Sequence, residues 1–140
     1  AGARVGWLYG PPPVVDVVRR IGLTFPVASP SAAAALAALE DTAHTAMVRR
    51  ETLAERARLS AALTGLGLPV VPSQTNFVLC HFADPQRSAT AIEAFLAKRN
   101  ILVRRLASPA YADHIRITLG LPDQNAAALR GIEDFLGGAA

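Results

Sequence analysis

Cysteine occurs once in this sequence, at Cys80, and lysine once, at Lys98. A single thiol rules out an internal disulfide and a cysteine-built metal site, and it suits a reducing cytosol. The three histidines show no H-x-E or H-x-x-x-H spacing, and the acidic residues are scattered, so no metal site is expected. No apolar run approaches the roughly 20 residues that a membrane helix needs. The start carries no ordered charged, apolar and small-residue regions, so no secretory signal is expected. Charged residues make up only 18%, and the net charge is only +3. That balance admits a small anionic ligand but is not the footprint of a dedicated nucleic-acid binder.

What is present is apolar: 51% of 140 residues, enough for one domain with a real core. Ala3 to Tyr9 reads as a short strand ended by Gly10 and three prolines. The prolines introduce a helix over Val14 to Ile21, with Asp16 early and Arg19 and Arg20 late, as the helix dipole favours. Ser29 and Pro30 read as N-cap and first turn of a second helix, running to about Leu39. It is almost all alanine and leucine, so it is expected to be buried on most sides. Asp41 or Thr42 caps a long third helix that reaches about Leu66, and a helix of that length often bridges two domains.

Beyond Gly67 the pattern changes. Leu68 to Val71 reads as an edge strand between prolines. Asn76 to Phe82 is apolar on both faces, which predicts a central strand. Ser88 caps a helix with Ile92, Phe95 and Leu96 on one stripe, and Asn100 is a candidate left-handed stop. Ile101 to Leu106 reads as a further strand, with Arg104 and Arg105 on opposite faces. In His114 to Gly120, Ile115, Ile117 and Leu119 alternate with His114, Arg116 and Thr118, the pattern of a half-buried strand. A last helix starts at Pro122, with Leu129, Ile132 and Leu136 inward. The first part holds one strand, which makes no sheet alone, so a larger parent domain is expected.

Nucleophilic chemistry finds little support. Cys80 and His81 are strand neighbours and point to opposite faces, which predicts a buried structural thiol. His114 beside Asp113 lacks a positioned serine or cysteine. The arginines say more. Arg116 and Arg104 lie on two strands of one expected sheet, where they either face a shared anion or pair with surface carboxylates. Arg4 sits between Gly2 and Gly6 in an apolar stretch, where it needs an anionic ligand or an internal ion pair.

Five segments in order resemble the carboxyl-terminal part of fold-type I pyridoxal-phosphate aminotransferases (class I/II), most of all the histidinol-phosphate aminotransferase subgroup. Residues 1–7 (Ala-Gly-Ala-Arg-Val-Gly-Trp) are similar to G-L-A-G-x-R-x-G-Y, and residues 35–41 (Ala-Leu-Ala-Ala-Leu-Glu-Asp) fall at the family's alanine-rich helix end. Residues 72–79 resemble P-S-x-A-N-F-V-L, residues 101–104 the G-I-x-V-R-P strand, and residues 115–120, with Asp123 and Asn125, L-R-I-T-V-G-T-x-E-E-N. The resemblance implies an α/β fragment of fold type I. Residues 1–45 would be the end of the large cofactor-binding domain and 46–67 a bridging helix. Residues 68–140 would be a small domain with a short, mostly antiparallel sheet covered by helices.

It also implies pyridoxal 5'-phosphate as cofactor, with Arg4 on its phosphate. Arg116 would hold the substrate carboxylate, Arg104 a second anionic group, and Asn76 would line the site. An amino-acid-like substrate, 2-oxoglutarate, histidine biosynthesis, a homodimer and a cytoplasmic location come with it, and neither a nucleic-acid nor a membrane partner does. No catalytic residue is implied in this chain: the family's Schiff-base lysine precedes the arginine matched by Arg4, so these 140 residues alone are expected to be inactive. The sequence departs from the pattern at Asn100 for glycine, Arg105 for proline, Ala110-Tyr111-Ala112 for the Tyr-Gly loop, and Leu121 for the helix-capping threonine. A threonine-phosphate decarboxylase of the same fold and a free-standing α/β module binding an anionic metabolite or RNA are the alternatives.

Overall fold

A computed structural model describes residues 2–138. They form five helices and four strands: α1 (Pro12–Ile21), α2 (Ser29–Glu40), α3 (Thr42–Gly65), β1 (Val70–Val71), β2 (Phe77–His81), α4 (Ala89–Ala97), β3 (Arg104–Arg105), β4 (His114–Thr118) and α5 (Pro122–Gly137). The chain divides into two compact units, one up to Val48 and one from Arg49. α3 begins in the first and continues into the second.

The first unit corrects three expectations. Ala3 to Tyr9 is not a strand. A strand needs a neighbour for its backbone groups, and no described strand pairs with this stretch. Arg4 also takes a positive φ of 53°, off strand geometry. The alanine-leucine helix α2 has no buried residue, and Leu36 and Leu39 are 64% and 74% exposed. An apolar composition describes a face that burial would favour, but burial needs a second layer. Ser29 is the first residue of α2, not its cap: Ala28 occupies that position, and no side chain caps the end. α1 starts on its prolines and ends at Ile21, as read.

The second unit holds the core. Its sheet is antiparallel throughout, in the order β1-β2-β4-β3. Val78 and Cys80 from β2 and Ile115 and Ile117 from β4 bury one face of the sheet. They pack with Leu59 and Leu63 of α3, Ile92 and Leu96 of α4, and Ile132 of α5. α3 ends through Gly67, whose φ of +81° suits a residue without Cβ. Ser88 Oγ accepts the Ala91 N–H and caps α4, and Asn100 has a φ of 59°, so both readings hold. The strand expected over Ile101 to Leu106 shrinks to Arg104–Arg105.

The start of α5 is better covered than Leu121 suggested. Gln124 Oε1 accepts the Leu121 N–H at 3.0 Å, and Asn125 Oδ1 accepts the Gly120 N–H at 2.8 Å. Side chains from inside the helix replace the missing threonine cap.

Candidate anion-binding site

The register of β4 builds the site. Ile115 and Ile117 are 0% and 3% exposed and fix the strand against the core. With period two, His114, Arg116 and Thr118 are therefore presented on the opposite face. On that face Arg104 stands directly across from Arg116, Leu79 lies on the other side of Arg116, and His81 is opposite His114.

Arg116 is half-buried and Arg104 exposed. Neither is in an ion pair with any described residue, unlike Arg20, Arg50, Arg58 and Arg105. The Arg116 guanidinium carbon lies 5.1 Å from the centre of the Phe77 ring, within cation–π range. Its Nε is buried without a hydrogen-bond partner. Like charges directly opposite on a sheet repel. Two cross-strand arginines on one face, with no ion-paired carboxylate among the described residues, carry the kind of donor set that suits a carboxylate or phosphate. Arg105 points to the other side, where its backbone N–H and its guanidinium both meet Glu93.

Next to the arginines lies a ring cluster that the sequence reading did not assemble. His81 and His114 stack, with ring centres 4.6 Å apart and planes at 22°. The Tyr111 ring meets His114 edge-on at 5.5 Å. His114 Nδ1 is buried without a partner. Burial, and secondarily His81, hold the His114 pKa below the ordinary histidine value, against the opposing pull of Asp113.

Asn76 lies apart from the arginine pair, in a cleft of about 360 Å³ with Arg49, Thr52, Arg56 and Gln74. Arg56 donates to the Thr75 carbonyl at 2.8 Å and to Gln74 Oε1 at 3.3 Å, tying the loop before β2 to α3. Ser73 Oγ donates to the Phe77 carbonyl and accepts the Thr75 N–H, which sets the turn that leads into Asn76. In the first unit, Arg4 lines a groove of about 740 Å³ with Trp7, Ala34, Ala38 and Leu39.

A polar link that carries no sequence signature supports the end of β4. Asn125, 2% exposed, donates to Glu55 Oε2 at 2.8 Å and to the Gly120 carbonyl at 3.0 Å. Glu55 also accepts both Arg58 donors. Its carboxyl is held below the usual range by the Arg58 hydrogen bonds and then by Asn125. Glu55 and Asn125 read in sequence only as a charged helix face and a motif position.

A family model for class I and II aminotransferases matches residues 1–132. The histidinol-phosphate aminotransferase of Nitrobacter winogradskyi is 42% identical over 137 residues, covering 97% of this chain and 38% of that protein. A structure from Erwinia carotovora atroseptica, assigned as a histidinol-phosphate aminotransferase, superposes with a TM-score of 0.81 at 28% identity, over 98% of this chain and 39% of that one. The histidinol-phosphate aminotransferase of Sinorhizobium meliloti, solved with pyridoxal 5'-phosphate, gives 0.77 at 23% identity, over 92% of this chain and 35% of that one; it shows a shared fold. The chain spans 38% of the length of the curated relatives it matches.

Proposed function

The chain belongs to the class I and II aminotransferases, and on that premise we propose that it is the carboxyl-terminal share of a pyridoxal-phosphate-dependent aminotransferase of the histidinol-phosphate type. The observation that carries this reading is the cross-strand pair Arg104 and Arg116, two guanidinium groups without carboxylate partners on one face. A substrate with a carboxylate-like end and a phosphate gives each arginine an anion. Arg116, seated on the buried part of β4 and against Phe77, is the more rigidly held and takes the end that fixes the reacting bond. Arg104, at the exposed edge, takes the second anionic group. Both act by binding and orientation. Asn76, in its own cleft beside α3, is assigned only to the edge of the substrate site in this reading.

The residues present fit one part of the cofactor. Arg4 lines a groove with Trp7 and alanines, and in this reading its guanidinium is assigned to the cofactor's phosphate. Pyridoxal phosphate, when bound, supplies the electron sink for the amino-acid carbon. In this reading the sole lysine, Lys98 at the C-terminal end of α4, is not the Schiff-base lysine, and the 140 residues alone are expected not to transaminate.

In this proposal residues 1–45 close the large cofactor-binding domain, 46–67 bridge, and 68–140 form the small domain. 2-Oxoglutarate is the amino acceptor. The exposed Trp7, Tyr9 and Phe25, each 88–89% exposed, support a homodimer or a covering domain over the first unit. A cytoplasmic location accords with the single buried thiol.

The test uses the complete enzyme. Arg116→Ala removes charge-assisted hydrogen bonds, so KM for the amino-acid substrate should rise roughly ten- to hundredfold. The cofactor's absorbance should stay intact. Arg4→Ala should do the reverse and weaken cofactor retention first. Loss of the cofactor from the Arg116 variant would refute the assignment. Release of carbon dioxide in place of amino transfer would move it to the threonine-phosphate decarboxylase.

A further inference from the structure

The arginine pair leaves the neighbouring rings unexplained. His114 lies two residues from Arg116 on the same strand and the same face, about 7 Å along it. Backbone bonds run from the Phe82 N–H to Asp113 and from the Leu119 N–H to Asn76. The alternation therefore makes His81–His114 a non-hydrogen-bonded pair of β2 and β4, the kind whose side chains approach most closely. Among the groups that the register and the ring contacts place around His114, Asp113 is the anionic one. Arg116 lies on β4, Arg104 on β3, His81 on β2, and Tyr111 and Asp113 in the loop before β4. Asp113 is exposed.

Such a cluster resists a proton while it stands empty. Burial and the stacked imidazole already oppose another positive charge, and the buried Nδ1 has no acceptor to share a proton with. An anion on the arginines reverses the balance, because it attracts the same proton. We propose that His114, stacked on His81 beside Arg116, is a further ligand-binding residue of this face, which joins the arginine pair in its protonated form and selects a doubly charged anion over a singly charged one. This rests on the reading of Arg104 and Arg116 as an anion clamp. The ligand class it favours is a phosphate or sulfate ester, whose second charge rewards a third cation more than a lone carboxylate does.

The sign follows from linkage. Burial and His81 lower the His114 pKa in the free protein, so the ring is largely neutral at pH 7.5. As pH falls through that value the third charge appears, and affinity for a dianion rises. One added charge about 7 Å from a dianion in water-like surroundings gives roughly a five- to tenfold gain.

Sulfate is the probe, since it stays a dianion from pH 7.5 to 5.5. The measurement is calorimetric titration of the full chain with sulfate and with acetate at both pH values, alongside the ring proton shifts of His114. Sulfate binding should tighten on acidification, by up to roughly five- to tenfold, with acetate changing much less. His114→Gln should bind sulfate with little pH dependence. His81→Gln should move the His114 titration to higher pH and carry the affinity change with it. A flat sulfate profile in the parent, or an unchanged pH dependence in His114→Gln, would overturn the inference and leave the arginine clamp standing. Sulfate binding that survives Arg104→Ala with Arg116→Ala would overturn the clamp itself, and the histidine inference with it.

Discussion

Replacing Asn125 with alanine removes three hydrogen bonds at once. Its amide spans Gly120 N–H, Gly120 C=O and the Glu55 carboxylate, at 2.8, 3.0 and 2.8 Å. The two bonds to Gly120 are neutral and worth about 1 kcal/mol each, and the bond to a carboxylate is worth roughly 1.5–3 kcal/mol. Water reaches Gly120 once the amide is gone, which returns part of that. The expected cost is about 3 kcal/mol, or a fall in Tm of about 10 °C.

The pH dependence isolates the Glu55 component. In the folded protein Glu55 titrates below its ordinary value of 4.5, chiefly through Arg58 and then through Asn125. A lowered folded pKa means stability that is present above the unfolded value and lost as pH falls through the folded one. Asn125→Ala deletes one cause of the lowering, so the variant has less to lose on acidification. The stability gap between parent and variant should be widest near pH 7 and narrow below about pH 4.5. Urea titrations at pH 7 and pH 3.5 measure both numbers. A cost under about 1 kcal/mol at pH 7, or a gap that ignores pH, would refute the account of these bonds as a charge-assisted link between α3 and the end of β4.

Two further expectations concern the core of the second unit. Burial pushes the Cys80 thiol up to about 12, so iodoacetamide at pH 8 should label it only after unfolding. Labelling of the native chain at the rate of a free cysteine would contradict the packing of β2. Gly131→Ala places a Cβ 2.6 Å from Leu96 Cδ2 and 3.4 Å from Ile101 Cδ1. Leu96 is fully buried and has little room to yield, so the variant should lose about 1–3 kcal/mol by its denaturant midpoint. An unchanged midpoint would mean that Leu96 repacks freely.

Elements whose causes are local could be read from the chain. The prolines before α1, Ser88 before α4 and Asn100 after it act within a few residues, and the structure places each close to where the sequence put it. The alternation of β4 was legible for the same reason. The failures have a common cause. Ala3 to Tyr9 has a strand's composition, but a strand is an agreement between two segments, and no described segment answers it. α2 has the composition of a buried helix, but its exposed leucines show that composition states a preference and not a neighbour. The link between Glu55 and Asn125 joins residues 70 positions apart through two ordinary polar side chains, and neither announces the other.

The arginine face lies between these cases. Arg116 was marked by its place on an alternating strand, and Arg104 by its own strand, but their meeting depended on register. β3 is only two residues long, and a shift of one residue along β4 would turn Arg104 to the opposite side and bring Arg105 across from Arg116. Glu93 blocks that alternative. It accepts the Arg105 backbone N–H and sits within 3.5 Å of the Arg105 guanidinium, so the second arginine is held away from the anion face. Two adjacent arginines in sequence thus do opposite things: one is neutralised by a helix carboxylate and pins the register, and through that register the other is left unpaired across from Arg116. The proposed clamp is therefore a product of the pairing. A carboxylate on α4, remote from any motif, selects which guanidinium shares the face of Arg116.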